Sequence, residues 1–419
     1  VDCDDVLVLD PTGMRRPQEE AVLHAAEGPV CVDILGERAW AVADQALLTS
    51  LLTDSRVSKD PRQHWPRFID GEIVGKWPLY LQVAVNNMFT AYGADHRRLR
   101  RLVSPAFSAR RTEQLLPSVV RNTELLLDEL AARPEPTVDL REAFAAQLPV
   151  RVISDLLGIP EAMRLGFRTT IDSIWNTTSS SDDAVESTQR VYSMLHELVA
   201  AKRSEPGDDL TSVLIASRDD EGDGSALDEE ELIDTLLLVV AAGYETTINL
   251  LDWAIYALLV DPKQLELVRR GTVAWSDIVE ETLRYAAPVS HLPMRYAVTD
   301  IDLPDGTTIR RGDAILASYG AASNNPRTHG ESAGEFDATR PDKRHVAFGH
   351  GVHFCLGAPL ARAEATIALS RLFDRFPAMQ LATPETDLLP LPSLMGNGHQ
   401  TLPVVLDPAR QLPEPPRMS

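Results

Sequence analysis

A single cysteine in a glycine-rich run carries the most specific chemistry in this sequence. Residues 348–357 read Phe-Gly-His-Gly-Val-His-Phe-Cys-Leu-Gly, with His353 two residues before Cys355 and Gly357 two residues after it. Three glycines in ten residues permit sharp turns and close backbone approach. Pro359 then opens an Ala- and Leu-rich helical pattern from Ala358 to Phe376, and proline suits the first turn of a helix. Cys355 is therefore predicted just ahead of a helix N-terminus, where free N–H groups and a partial positive charge favour a thiolate. A thiolate on a stiff loop is suited to ligate a metal. A lone cysteine is by itself more often an inert small hydrophobe, so the assignment depends on the residues around it.

A second pair that could do chemistry is Glu245 and Thr246, in the run Ala-Gly-Tyr-Glu-Thr-Thr from 242 to 247. A carboxylate and a hydroxyl side by side in an apolar helical pattern are costly to bury without a purpose. The small residues at 241–243 let a flat group approach the backbone, and Gly243 with the paired threonines is expected to kink or widen the helix. The structural alternative is that Thr246 bonds back to a carbonyl and Glu245 pairs with a distant arginine. Glu-x-x-Arg occurs three times, at Glu161/Arg164, Glu266/Arg269 and Glu281/Arg284, and most such pairs are ordinary ion pairs on helix surfaces. His96 and Arg100, four apart, share a helix face and can reach one anion.

Positioning these groups falls to a long helix and a long meander. Asp228 with Glu231 forms a capping-box pattern, and apolar residues run from there to Val260, where Asp261-Pro262 stops the helix. At 1.5 Å per residue this rod is about 50 Å long, and its apolar faces require it to cross the middle of the molecule. Other helices are expected near 95–107, 112–132, 140–157, 161–175, 184–204, 208–218, 262–269 and 275–286. Residues 1–60 read as a small sheet, Arg295 to Thr299 and Thr307 to Arg310 as short strands, and 320–347 as an irregular segment leading into the cysteine loop. Trp65 and Trp77 read as core packing ahead of ligand contact. No boundary between domains is evident, so 1–410 is read as one domain, with 411–419, rich in proline, as a disordered tail.

The totals exclude several classes of function. A net charge of −22 argues against non-specific binding to nucleic acid or anionic lipid. The three cysteines, Cys3, Cys31 and Cys355, make no evident set of pairs and no zinc spacing, which fits a reducing, cytoplasmic setting. No apolar run is long enough for a membrane anchor, and no signal-peptide pattern opens the chain.

Phe348, Gly351, His353, Cys355 and Gly357 together resemble the cysteine-ligand loop of the cytochrome P450 superfamily in its bacterial form, and Ala-Pro-Leu-Ala-Arg at 358–362 resembles it too. The resemblance covers essentially the whole chain, with four motifs in the expected order. It implies a mainly α fold with small β-sheets, a triangular helical prism around a buried haem b, and Cys355 as axial ligand to the iron. The implied activity is a monooxygenase that inserts one oxygen atom from O2 into a C–H bond. By the same resemblance Thr246 hydrogen-bonds the bound oxygen and Glu245 relays protons. Only the third Glu-x-x-Arg, Glu281 with Arg284, stands about 70 residues before the cysteine, where the family keeps a lock on the cysteine loop. Arg340 is its expected partner. His96, Arg100, Arg295 and His353 are the expected set for the haem propionates.

The chain has no dinucleotide-binding glycine motif after a strand and no cysteine set for an iron–sulfur cluster. Electrons are therefore expected from a separate ferredoxin or flavodoxin with its NAD(P)H-dependent reductase, docking on Arg97, Arg98, Arg101, Lys343 and Arg344. The resemblance places Met88, Phe89, Leu238, Ala241, Ala242, Val289, His291, Leu292 and Gln400 around a bulky hydrophobic substrate. Closer similarity, in Trp65-Pro66, in Asn86 to Tyr92 and in Gly398-His399-Gln400, is to actinobacterial enzymes that hydroxylate steroids and macrolides. Oxidative ring coupling by the same family and a non-enzymatic haem sensor stand as the other readings.

Overall fold

A computed structural model of the chain describes residues 5–160, 163–164, 181–219, 222 and 224–408. The expected helix at 161–175 falls almost wholly outside these residues, and the tail 411–419 entirely so. The longest described helix, Glu229–Val260, runs through the helical core and packs against helices Gln147–Leu157, Ser181–Ser204, Trp275–Tyr285 and Ala358–Arg375. Its start is built as the spacing predicts. The Asp228 carboxylate accepts from Glu231 N–H, and the Glu231 carboxylate accepts from Asp228 N–H. Most of its faces are buried, which is why so apolar a sequence is stable there.

Beside the helices lies a six-stranded sheet in the order Leu7–Val8, Val30–Ile34, Glu37–Val42, Ala314–Ala317, Leu292–Ala297 and Val57–Ser58. The first 60 residues are less purely sheet than expected, because helices Arg16–Ala25 and Gln45–Thr53 intervene. The second is set by Asp44, whose carboxylate accepts from Leu47 N–H, and by Leu48, Leu51 and Leu52, which share one buried face. Trp65 and Trp77 pack edge to face in the core beneath this sheet, with Trp65 stacked on Tyr296. Cys31 is disulfide-bonded, against the expectation of unpaired cysteines, and Cys355 is the free thiol among the described residues. No helix of the described residues is long and apolar enough to cross a membrane.

The irregular segment before the cysteine loop is pinned by one buried cluster. Arg284 makes a two-pronged pair with Glu281, at 2.9 and 2.7 Å, and its remaining N–H groups donate to the carbonyls of Ala333 and Glu335. Arg340 Nε and Asp337 N–H both donate to the same Glu281 oxygen, and Arg340 also holds the Ser332 carbonyl. Glu281 and Arg284 are fully buried. Of the other two copies of the motif, Glu266 pairs with Arg270 and Arg269 reaches the Pro377 carbonyl, while Glu161 lies outside the described residues. Breaking a buried ion pair from one side costs about 3–5 kcal/mol. Glu281→Gln is accordingly expected to lower the midpoint of denaturant unfolding steeply, and an unchanged midpoint would show that the cluster carries no such energy.

Candidate functional site

A cavity of about 360 Å3 opens between the middle of the helix Glu229–Val260 and the cysteine loop. The loop turns through Gly349 and Gly351, at φ +70° and +71°. A Cβ on Gly351 would stand 2.6 Å from the Leu52 carbonyl, so both the conformation and the space require glycine there. Cys355 N–H donates to the Phe348 carbonyl, and the helix Ala358–Arg375 follows at once. The sulfur accepts from the N–H groups of Gly357 and Ala358, as a helix N-terminus provides. Cys355 sits deep in the protein, yet its thiol faces the open cavity. Burial pushes the thiol up from its ordinary value and outweighs those N–H groups and the charges of Arg100 and Arg362. Arg362 lies 4.5 Å over the Phe348 ring and is paired with Glu280, which fixes the loop's outer side.

Thr246 lines the cavity, whereas Glu245 does not. Adjacent helical residues point about 100° apart, and the structure uses both directions. Thr246 Oγ1 donates to the Ala242 carbonyl at 2.6 Å. Glu245, 5% exposed, accepts from Arg141 Nη2 at 2.6 Å. Arg141 opens a π-helical turn, Arg141–Ala145, and its other nitrogen lies 3.6 Å from Asp252, which in turn accepts from His399 Nδ1. The helix runs as continuous α-helix through Gly243, without the widened turn that was one of the two expected forms. A Cβ at Gly243 would approach Ile153 to 2.9 Å, so this glycine serves close packing of two helices.

On another side of the cavity stands a cluster of basic groups. Arg100 and Arg295 line it with His353, and the His353 ring lies 4.1 Å from that of His96. Arg100 Nη2 donates to the Phe354 carbonyl and Arg295 Nη2 to the Tyr319 hydroxyl. Arg295 Nη1 and His96 Nε2 are buried with no hydrogen-bond partner. Burial, then the charges of Arg100 and Arg97, lower His96 to about 4. His353 is also pushed well down, by burial and by the positive groups around it. Buried polar groups are normally satisfied, so this cluster fits a bound anion. A free thiol at one wall and orphaned donors at another match what a haem with two carboxylates requires.

The expected pocket residues divide. Met88, Phe89, Leu238, Ala241, Ala242, Val289 and Leu292 line the cavity, but His291 and Gln400 do not. His291 is turned toward Ser318, at 3.1 Å, under the sheet, and Gln400 is exposed, held by its backbone to Leu389. The expected basic docking face is largely neutralised, because the acidic surplus supplies partners. Arg98 pairs with Glu231, Arg101 with Asp219, Lys343 with Asp277 and Arg344 with Asp342. Arg97 is exposed on the helix Gly93–Val103.

Sequence reasoning missed Arg141, Asp252, Lys59 and Glu364. Asp252, seven residues after Glu245 and hence on the same helix face, was the available signal: two carboxylates in one apolar helix require a shared cation. Glu364, on the helix after the cysteine, lines the cavity with Oε1 unpartnered, and burial raises it from its ordinary 4.5 to about 8.

The Cytochrome P450 family profile matches residues 163–270 and 275–397. The chain is 42% identical over 401 residues to 2-hydroxy-5-methyl-1-naphthoate 7-hydroxylase of Streptomyces carzinostaticus, covering 95% of this chain and 97% of that protein. It is 36% identical over 384 residues to 6-deoxyerythronolide B hydroxylase of Saccharopolyspora erythraea, covering 90% and 92%. The solved structure of CYP154A1 from Streptomyces coelicolor superposes with a TM-score of 0.90 at 56% identity, over 96% of this chain and 100% of that one. With the mainly helical fold and a cysteine loop facing a largely apolar cavity with a basic cluster on one side, these similarities place the chain in the cytochrome P450 family of haem-thiolate monooxygenases.

Proposed function

We propose that the chain binds haem b through Cys355 and hydroxylates a bulky hydrophobic substrate such as a macrolide, a related polyketide or a steroid, with electrons from a ferredoxin or flavodoxin and its NAD(P)H-dependent reductase. The observation that carries this reading is a predominantly apolar cavity with the Cys355 thiol at one wall and the Thr246 hydroxyl at another. The relatives' names point to an aromatic bicycle and a macrolactone, both rigid and largely apolar. Met88, Phe89, Leu238, Val289 and Leu292 supply matching surface. Dependence on NAD(P)H-derived electrons fits the cytoplasm.

When bound, the haem supplies the activation of O2, favoured by an electron-rich thiolate ligand. The protein's share is to hold the sulfur, exclude water and deliver protons. Gly357 and Ala358 N–H groups steady the sulfur, and His96, Arg100, Arg295 and His353 meet the propionates. Thr246 Oγ1 holds a proton at the cavity wall, parked on the Ala242 carbonyl until a better acceptor arrives. Glu245 is clamped by Arg141 outside the cavity, so its use as a proton carrier requires that contact to open. Glu364 is a second acid, already facing the cavity and protonated at neutral pH. The electron-transfer partner docks over the cysteine loop, where exposed Val352 and Arg97 offer one apolar and one cationic contact.

Three outcomes are expected. Cys355→Ser abolishes the carbon monoxide band of the reduced protein that gives the family its name, and an unaltered spectrum would refute the ligand assignment. In a system reconstituted with ferredoxin and reductase, Thr246→Ala keeps consuming NAD(P)H but yields less product, at least ~10-fold less per NAD(P)H for a general acid–base group; full coupling in that variant would remove Thr246 from the proton path. Because the folded state holds a proton on Glu364 that the unfolded chain releases above pH 4.5, stability should fall as pH rises from 4.5 to about 8 and then level off. Glu364→Gln should flatten that fall in thermal unfolding measured against pH.

A further inference from the structure

Lys59 is a buried lysine whose Nζ has no hydrogen-bond partner. It follows the strand Val57–Ser58, whose antiparallel register sets Ser58 opposite Tyr296. One step further along that register, Lys59 lies across from Arg295. The side chain is 3% exposed, and its Nζ has no hydrogen-bond partner. The nearest described contact is the ring of Phe89, 3.7 Å from Nζ to the centroid. Burial and the Arg295 charge push the ammonium well below its ordinary range.

Magnitudes decide what is missing. A cation over an aromatic face supplies about 0.5–2 kcal/mol, against several kcal/mol to desolvate an ammonium. Like charges facing each other across a sheet add to the deficit. Nor is Lys59 alone. Arg295 Nη1 and His96 Nε2 are also unpartnered, and Lys59, Arg295, Arg100 and His96 all bear electrostatically on His353. Donors from separate segments converge, so the absent partner is an anion rather than another hydrogen-bonding side chain.

We infer that Lys59 is a fifth basic group of the haem site, its Nζ bonding the propionate carboxylate that Arg295 also receives while resting over the ring of Phe89 in the cavity wall. This rests on haem binding as read above, and gives the charge that holds the cofactor a direct mechanical link to a residue that touches substrate. The assignment is specific to Lys59, because neither Arg100 nor His96 has a described contact with Phe89.

The test compares haem-loaded wild type with Lys59→Met and Lys59→Arg. Haem transfer to excess apomyoglobin is timed, and the reduction potential is measured by spectroelectrochemical titration. Losing one charge-assisted hydrogen bond should make transfer about 10-fold faster in Lys59→Met. The potential should also move to more negative values, because a nearby cation stabilises the electron-richer reduced haem. Lys59→Arg should return both readings toward wild type. Wild-type transfer and wild-type potential in Lys59→Met would overturn the inference, and so would faster transfer with the potential unmoved, which marks a packing role alone. Lys59→Gln replaces the methionine variant should that one fail to fold. Wild-type protein lacking the thiolate carbon monoxide band would instead sink the haem reading itself, so that spectrum is taken first.

Discussion

One buried carboxylate carries the geometry of the site. Glu281 receives Arg284 along both of its oxygens and still accepts from Arg340 and the Asp337 backbone. These donors come from two parts of the molecule: a core helix, and one turn of the irregular segment that runs toward the cysteine loop. A segment with so little regular structure has few ladder hydrogen bonds of its own, so its path must be imposed from outside. The carbonyls of Ala333 and Glu335, which no strand partner satisfies, find the Arg284 guanidinium instead. The path of residues 332–340, upstream of Cys355, is thereby tied to an ion pair in the core.

The cavity above that sulfur is built on a division of charge. One wall is apolar, from the central helix and the loop carrying Met88 and Phe89. Another holds Arg100, Arg295 and His353, with His96 behind them, and leaves Arg295 Nη1 and His96 Nε2 without partners. In an acidic chain this is a local inversion: elsewhere arginines find carboxylates, as Arg98 and Arg101 do. Leaving buried nitrogens without partners is unfavourable for the protein alone, and becomes favourable when a dianionic cofactor enters. Stability and cofactor affinity are thus two readings of the same deficit.

The acids near the cavity are held in two ways. Glu245 is paired with Arg141 and kept outside the cavity, whereas Glu364, raised to about 8 by burial, faces it. Glu245 has a guanidinium beside it, whereas Glu364 has an unpartnered Oε1 and burial as the cause of its shift. The π-helical turn that begins at Arg141 aims this guanidinium, and a regular helix there would carry the side chain along another direction.

Local chemistry was legible from residue order. The capping box at Asp228, the glycines and proline around Cys355, and the apolar run to Val260 each act within a few residues, so spacing alone determined them. The family's motif order likewise identified Glu281 and Arg284 and separated them from two look-alike pairs. What the fold decided were contacts between residues far apart in the chain. Arg141 meets Glu245 across 104 positions, Arg340 meets Glu281 across 59, and Lys59 comes to face Arg295 only because a two-residue strand joins the edge of a sheet. The same limit explains why His291 and Gln400 stand outside the cavity and why the carboxylate partners of the arginines were not legible in the sequence. A side chain's direction and its counter-charge depend on which distant element packs against it, and periodicity along the chain does not encode that neighbour.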